Sequence, residues 1–462
     1  MKRTIGISRL LPLFLLCGII AGLIGGCDNF NLSLEEFAAR QAKLAANPGG
    51  GPETPTDEPP GPPVTPPPVD PLPPVDPPPP VDPLPPVNPP PPSTPVAKRG
   101  ILKYNSLKEA LDAAPVGSTG NIDEIILVQS IVLPEGTETA GYTIDKYIRI
   151  KAESGSVIIQ RKSGFTGSLF QVNTNAALYL GAAASGGGEE LVIDGQKNTV
   201  TAQGPLVNVS GGRLDIGYGA VLQNNRNAGY AVTGGAVYIN SGTINISGGT
   251  IRDNISGAVG GNSVGGGIAA MGGSIVMNAG TIARNIASKL PGSNTSANFS
   301  DYGLGGQVYL AGGTFTLNGG FIGGNTLSAN FNAKEGGGVY AATSGVTAAF
   351  TMNGGEIRNN KAYEGGGVYL SALSDFAISG GALIDANNDV YFYNSGSPII
   401  VNSVLTQNPA ARITFADADY VMGTKVLTGS AVSTEYAKFK VTRPSNSSED
   451  WEIDVGGGIY GP

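Results

Sequence analysis

The 462-residue chain carries 28 basic against 36 acidic residues, a net charge of −8, and only 14% of its residues are charged. That balance disfavours nucleic acid and anionic lipid surfaces as partners, and it leaves few ion pairs to hold a fold. Glycine reaches 70 residues while histidine is absent, so the commonest general base and metal ligand is missing and no cofactor or metal is expected.

The chain opens MKRTIGISRLLPLFLLCGIIAGLIGGC: a basic start, an apolar run, then Ile24-Gly25-Gly26-Cys27. This resembles a bacterial lipoprotein signal with its lipobox; the other readings are a plain secretory signal or an N-terminal transmembrane helix. The resemblance implies cleavage after residue 26 and a diacylglyceryl group on the Cys27 thiol. The first partner is then a membrane, and the location the cell envelope, at the outer membrane or cell surface. Each buried lipid CH₂ adds about 0.8 kcal/mol, so three acyl chains make a stable anchor. Loss of residues 1–26 removes Lys2, Arg3 and Arg9, leaving 28 − 3 = 25 basic against 36 acidic residues, or −11. Cys17 leaves with the signal, and with Cys27 the only other cysteine no disulfide is expected.

Residues 27–47 hold Ser33 and Glu36, a capping-box pair that opens a short amphipathic helix to about Ala45. Residues 48–96 contain 25 of the 34 prolines, including the beat PPVDPLPPVDPPPPVDPLPPVNP, so backbone donors are scarce and polyproline II is the expected state. At about 3.1 Å per residue this segment is a stalk of about 150 Å, with a PxxP ligand as the sharper alternative.

A folded unit is expected from residue 97. Ser106 with Glu109 is a second capping box, and Leu107, Ala110, Leu111 and Ala114 make one helical stripe before Pro115. Such a helix suits the open apolar end of a solenoid. EIILVQSIVL, YIRIKA and SVIIQR follow as strands of the first coils.

The central region repeats. GGAVYINSGTINISGGTIRDN begins at 234, GGGIAAMGGSIVMNAGTIARN at 265, GGQVYLAGGTFTLNGGFIGGN at 305 and GGGVYAATSGVTAAFTMNGGEIRNN at 336. GGGVYLSALSDFAISGGALIDAN follows at 365, and a looser copy, VNVSGGRLDIGYGAVLQNN, precedes them at 207. The closing residues Asn224, Asn254, Asn285, Asn325 and Asn360 lie 30, 31, 40 and 35 apart, a solenoid period with variable inserts. Within a unit, Val237 and Ile239, then Ile244 and Ile246, alternate with polar residues, and Ile251 follows the next Gly-Gly. That period of two predicts three short strands per coil with glycines at the corners. The expected fold is all-β: a right-handed parallel β-helix over 97–390, with an N-terminal capping helix. Coils stacked about 4.8 Å apart give roughly ten coils a length on the order of 50 Å. The GG-[AGQ]-[VI] openings and IRDN, IARN, IGGN and IRNN closings resemble the GGA[ILV] and FxxN repeats of polymorphic outer-membrane autotransporter adhesins. More broadly they are similar to pectin-lyase-like β-helices. The resemblance implies a rod and surface display. Ile251, Ile282, Ile322 and Ile357 stand where those repeats have Phe, and no series of membrane-barrel strands follows. Residues 391–462 read as further β-rich coils or a cap, with Trp451 in the last segment.

Two ladders are expected across coils. The closing asparagines can pass amide hydrogen bonds along the rod and tolerate an αL turn. Tyr238, Tyr309, Tyr340 and Tyr369 each follow the inward residue of GGxV and should stack on one exposed face, with Ala269 interrupting. β-propensity alone favours tyrosine there; the sharper reading is an aromatic platform for sugar rings or a protein. A catalytic site would need converging carboxylates. Asp253 adjoins Arg252, but Arg284 and Arg358 sit beside Ala283 and Asn359. Asp194 lies in the turn-like LVIDGQ, Asp385 lies near Asp389, and Asp417 and Asp419 share one side of a strand. No recurrent cluster results. The expectation is a non-catalytic adhesin or binding surface for polysaccharide or host protein. The alternatives are a polysaccharide lyase or glycoside hydrolase of the pectin-lyase-like fold, and a passive envelope structural protein.

Overall fold

The structure, a computed structural model, describes residues 94–461 apart from 200–203, 229–231, 258–262, 289–302, 329, 343–347, 372–373, 394–396, 446–447 and 449. The signal segment with Cys27, the helix placed in 27–47 and the proline-rich segment up to residue 93 lie outside the described residues. Among the described residues no helix is long and apolar enough to cross a membrane.

The described chain is all-β, with most strands in parallel register, an arrangement compatible with a β-helix. Three columns of strands run side by side, and each coil adds one strand to each. Val207, Val237, Ile268, Val308, Val339, Val368 and Val390 are register partners down the first column. Leu178, Leu214, Ile244, Ile275, Phe315, Phe350 and Phe376 form the second. Ile193, Leu222, Ile251, Ile282, Ile322, Ile357 and Ile384 form the third. All these residues are buried and belong to one apolar cluster. Like side chains therefore stack on like, because parallel in-register pairing sets each strand directly over its counterpart.

The corners are tighter than separate turns. One continuous strand, Val237–Arg252, supplies all three columns of its coil, with register shifts at the bends. Gly242 sits there at φ +96°, and a Cβ would lie 2.1 Å from the Gly212 carbonyl oxygen of the coil below. Only glycine allows the backbone that conformation and that approach.

A helix, α1 (Leu107–Asp112), closes the first coil with Leu107, Ala110 and Ala114 buried. The serine half of its capping box forms, the Glu109 N–H donating to Ser106 Oγ (3.0 Å), while Glu109 Oε2 accepts from the N–H of Asn105, one residue before the cap (2.9 Å). At the other end the columns continue past residue 390 through Ile399–Ile400, Ala411–Phe415, Leu427–Thr428 and Phe439–Val441. An antiparallel pair, Glu452–Ile453 with Ile459–Tyr460, follows, and Trp451 packs edge-on against Tyr420 (5.4 Å). The segment 391–462 is thus both coils and an antiparallel end. Asp417 and Asp419 do not share a strand: they form a 3₁₀ turn after Phe415.

Candidate functional site

Each coil must return from its third column to the next first column, and the segments that make this return differ in length. The returning segments pair with one another in short parallel strands. Arg226–Asn227, Ile255–Gly257 and Ile286–Ser288 form one set, and Ala333–Glu335 with Ala362–Glu364 another. Leu304 bridges Glu335 and Val264.

Under this edge runs a file of buried amides. Arg161 Nη2 donates to Asn225 Oδ1 (3.1 Å), and the Asn225 N–H to Asn254 Oδ1 (3.0 Å). Asn254 Nδ2 donates to Asn285 Oδ1 (3.0 Å), Asn285 Nδ2 to Gln307 Oε1 (2.9 Å), Gln307 Nε2 to Asn360 Oδ1 (3.1 Å) and Asn360 Nδ2 to Asn388 Oδ1 (3.2 Å). Asn254, Asn285 and Asn360 are thus brought together, but Asn224 and Asn325 are not. Asn224 is the αL residue before the file (φ 54°) and bonds Asp194, and Asn225 takes the buried place. Asn325 is exposed and accepts from Arg358 Nη2 (2.8 Å), while Gln307 fills the gap in the file and Asn388 extends it. The αL position belongs to the residue before the buried amide, at Asp253, Arg284 and Asn359, so a closing asparagine in αL is the exception.

The tyrosines behave differently from an exposed face. Tyr309, Tyr340 and Tyr369 stack at 5.4 and 5.0 Å between ring centroids, and Tyr391 continues the stack at 5.4 Å. Tyr340, Tyr369 and Tyr391 are less than a tenth exposed, with Leu304 packed against the row. Leu304 lies in a return segment, so part of this cover comes from outside the columns, which the coil pattern alone does not show. Desolvation pushes the Tyr340, Tyr369 and Tyr391 phenols up, and the nearby Glu335 and Glu364 carboxylates add to the shift. Tyr238 stands apart, paired in register with Asn208 and Ala269.

Two cavities open on the same edge. The first, about 460 Å³, is lined by Lys197, Asp253, Arg284, Asn325, Thr326, Ser328, Asn330, Asn359 and the amides Gln307 and Asn360, with Ile255, Ile286 and Leu327 among its apolar lining. Arg284 and Asp253 pair across adjacent coils (2.9 and 2.6 Å), so Arg284 does have a carboxylate, supplied by its neighbour in space. Lys197 Nζ donates to the Asp253 carbonyl (2.6 Å), and burial pushes its pKa below the ordinary lysine value. The second cavity, about 400 Å³, is lined by Lys361, Tyr363, Glu364, Asp389, Tyr391, Arg412 and Thr414, and it shares Leu327 and Asn360 with the first. Desolvation raises the Glu364 and Asp389 carboxyls, although Asp389 accepts from the Gly366 N–H (2.7 Å).

Asp194 is fully engaged elsewhere, accepting from the Gln196 N–H (2.9 Å), Gln196 Nε2 (3.0 Å), Gln223 Nε2 (2.9 Å) and Asn224 Nδ2 (2.9 Å). Asp385 accepts from the Asn387 N–H (3.1 Å) and does not line the cavity that holds Asp389. Among the described residues no group of three or more Asp, Glu, Cys or His could hold a metal ion. No family model, curated protein or solved structure matches this chain.

Sequence reasoning missed Gln307, Asn388 and Tyr391. Gln307 and Tyr391 do stand in the repeat columns, in GGQVYL and DVYF, and that register was their one signal.

Proposed function

We propose that this chain is a lipid-anchored cell-envelope protein whose right-handed parallel β-helix, held off the membrane by the proline-rich segment, presents a non-catalytic binding edge. The ligand is an extended polymer, a polysaccharide or a host protein strand, and the role is adhesin-like. The observation that carries the reading is the polar edge itself. Two cavities of about 460 and 400 Å³ share residues along the rod, and amide and hydroxyl groups recur on their walls. Cavities of this size with convergent polar groups are the usual form of a ligand site. A solenoid places such groups at regular steps, which suits a repeating ligand.

The test has two stages. Protease shaving of intact cells should remove the rod while a periplasmic control protein survives. The wild-type protein and an Arg284→Ala/Asn359→Ala double variant should then be compared for binding to immobilised glycans and host matrix. Loss of binding in the double variant supports the edge. A rod protected until the outer membrane is opened would sink the surface role, and equal binding by the variant would sink the site.

A hydrolase is the second reading, and one observation favours it: Glu364 and Asp389 line one cavity and both carboxyls are raised by desolvation. Polysaccharide cleavage that Glu364→Gln or Asp389→Asn abolishes would replace the binding role with that one.

A further inference from the structure

The outward face of the second column, away from the return edge, carries a separate group of charges. Arg149, Tyr179, Asp215 and Asn245 are successive register partners on adjacent strands. Arg149 and Arg213 both place a guanidinium over the Tyr179 ring, at 5.3 and 5.5 Å from its centroid. Arg213 is committed to Asp215, with Nε to Oδ2 at 2.6 Å and Nη2 to Oδ1 at 3.1 Å. Arg149 has only a long bond from Nη1 to the Gly181 carbonyl (3.4 Å), and among the described residues it makes no ion pair. A cavity of about 350 Å³ opens over these side chains, kept clear by Ala182, Ala183 and Gly217 and bordered by Asn245, Ser247 and Asn278.

We propose that this cavity binds the anionic substituent, carboxylate or sulfate, of an acidic saccharide. Asp215 is the cavity's carboxylate and is already neutralised by Arg213, and Glu124, the register partner of Arg149 on its other side, is paired with Lys151 (2.9 Å), so the lining keeps one positive charge without an ion pair in a protein of net charge −8. A guanidinium fork with an open edge matches a planar carboxylate or a sulfate in a way that a point charge does not. The Tyr179 ring orients Arg149 by cation–π contact and limits the entropy lost on binding. The saccharide class follows from the border. Asn245, Ser247 and Asn278 offer neutral donors and acceptors, and Asn278 is bonded along the surface by Asn318 Nδ2 (2.9 Å). An acidic peptide would want apolar pockets for its neighbouring side chains, and small residues and amides stand there instead.

The probes are a chondroitin-sulfate tetrasaccharide, its desulfated and carboxyl-reduced counterpart, and an oligoglutamate peptide, each titrated calorimetrically against the full-length protein. The sulfated, carboxylated probe should bind, inorganic sulfate should compete, and the neutral counterpart should not bind. Arg149→Gln should weaken binding roughly tenfold or more, as expected for loss of a charged hydrogen-bonded pair. Arg149→Lys should retain part of the affinity, and both variants should keep the wild-type melting temperature. Arg443→Gln, at an exposed arginine that lines neither this cavity nor the two on the return edge, should leave this binding unchanged, which separates loss of the site from loss of a surface charge. No binding by the wild type, equal binding by Arg149→Gln, or equal affinity for oligoglutamate would each overturn the proposal.

Discussion

Gln307 is one methylene longer than asparagine, and that extra reach carries it from the opening of its coil into the gap between Asn285 and Asn360. Its Oε1 accepts from both the Asn285 N–H (3.1 Å) and Nδ2, and its Nε2 donates onward. Replacing Gln307 with Leu would remove the partner of the Asn285 N–H, one of the two bonds of Asn285 Nδ2, and the donor to Asn360 Oδ1. Each orphaned group costs about 1–3 kcal/mol, so the denaturation midpoint in urea should fall clearly, whereas Asn325→Ala, at an exposed site, should leave it nearly unchanged. An unchanged midpoint for Gln307→Leu would show that the file adds nothing to stability. Arg161 stands at the other end of the same logic. The amide oxygens of the file face the N-terminal end of the strand stack, so their dipoles align and present negative ends to the buried guanidinium. Burial lowers its pKa to about 10, which still leaves it cationic at neutral pH.

Strand columns hold the stack by repetition of shape. Phe315, Phe350 and Phe376 stack at 5.0 and 5.1 Å, a fully buried aromatic run in the second column. Phe350→Ala removes the middle ring and both stacking contacts, and a loss of about 3–5 kcal/mol should follow in equilibrium unfolding. A loss below about 1 kcal/mol would mean that the neighbouring rings close the gap. Helix α1 is held at both ends by residues that follow it in the chain. Glu135 accepts from the Leu107 and Lys108 N–H groups (3.0 Å each), and Lys146 Nζ donates to the carbonyls of Leu111 (3.0 Å), Asp112 (3.1 Å) and Ala114 (2.8 Å). A six-residue helix is too short to persist alone, so these tertiary caps, with the buried face, are what keep it in place.

At the scale of the molecule, few charges matter, and those that do set a pH optimum. Glu364, Asp385 and Asp389 have folded pKa values raised by desolvation, so folding takes up protons. Their ionisation costs stability at neutral pH, and that cost is relieved as pH falls through the folded values toward the ordinary carboxylate range. Asp417 and Glu435 are lowered, by hydrogen bonds from Ser445 and Lys438 respectively; their contribution is present above the ordinary range and is lost on further acidification. The melting temperature should therefore rise as pH falls from 7 toward the ordinary carboxylate range near about pH 4 and fall on further acidification, with Asp389→Asn flattening the rising limb. A steady decline from pH 7 downward would contradict that assignment.

The repeat was legible in the chain because a coil is a local event. The alternation of Val237, Ile239, Ile244 and Ile246, the corner glycines and the Ser106 cap depend on neighbours in sequence, and each takes the expected form, with Glu109 reaching back one residue past the cap to Asn105. What joins one coil to another was only partly legible. Ala269 interrupts the tyrosine row as its column position requires, yet the row is buried, with Leu304 of a return segment packed against it. Asn325 closes its copy in sequence but stands outside the amide file, since a buried hydrogen bond is awarded by distance and Gln307 reaches the vacant place. Arg284 finds Asp253, and Arg149 finds Tyr179, about thirty residues away. By itself the sequence determined the strand period, the corners and the apolar columns, because those follow from backbone sterics and side-chain alternation. The tertiary structure decided which polar groups meet and which surfaces stay open, because both depend on how the inserts settle across neighbouring coils.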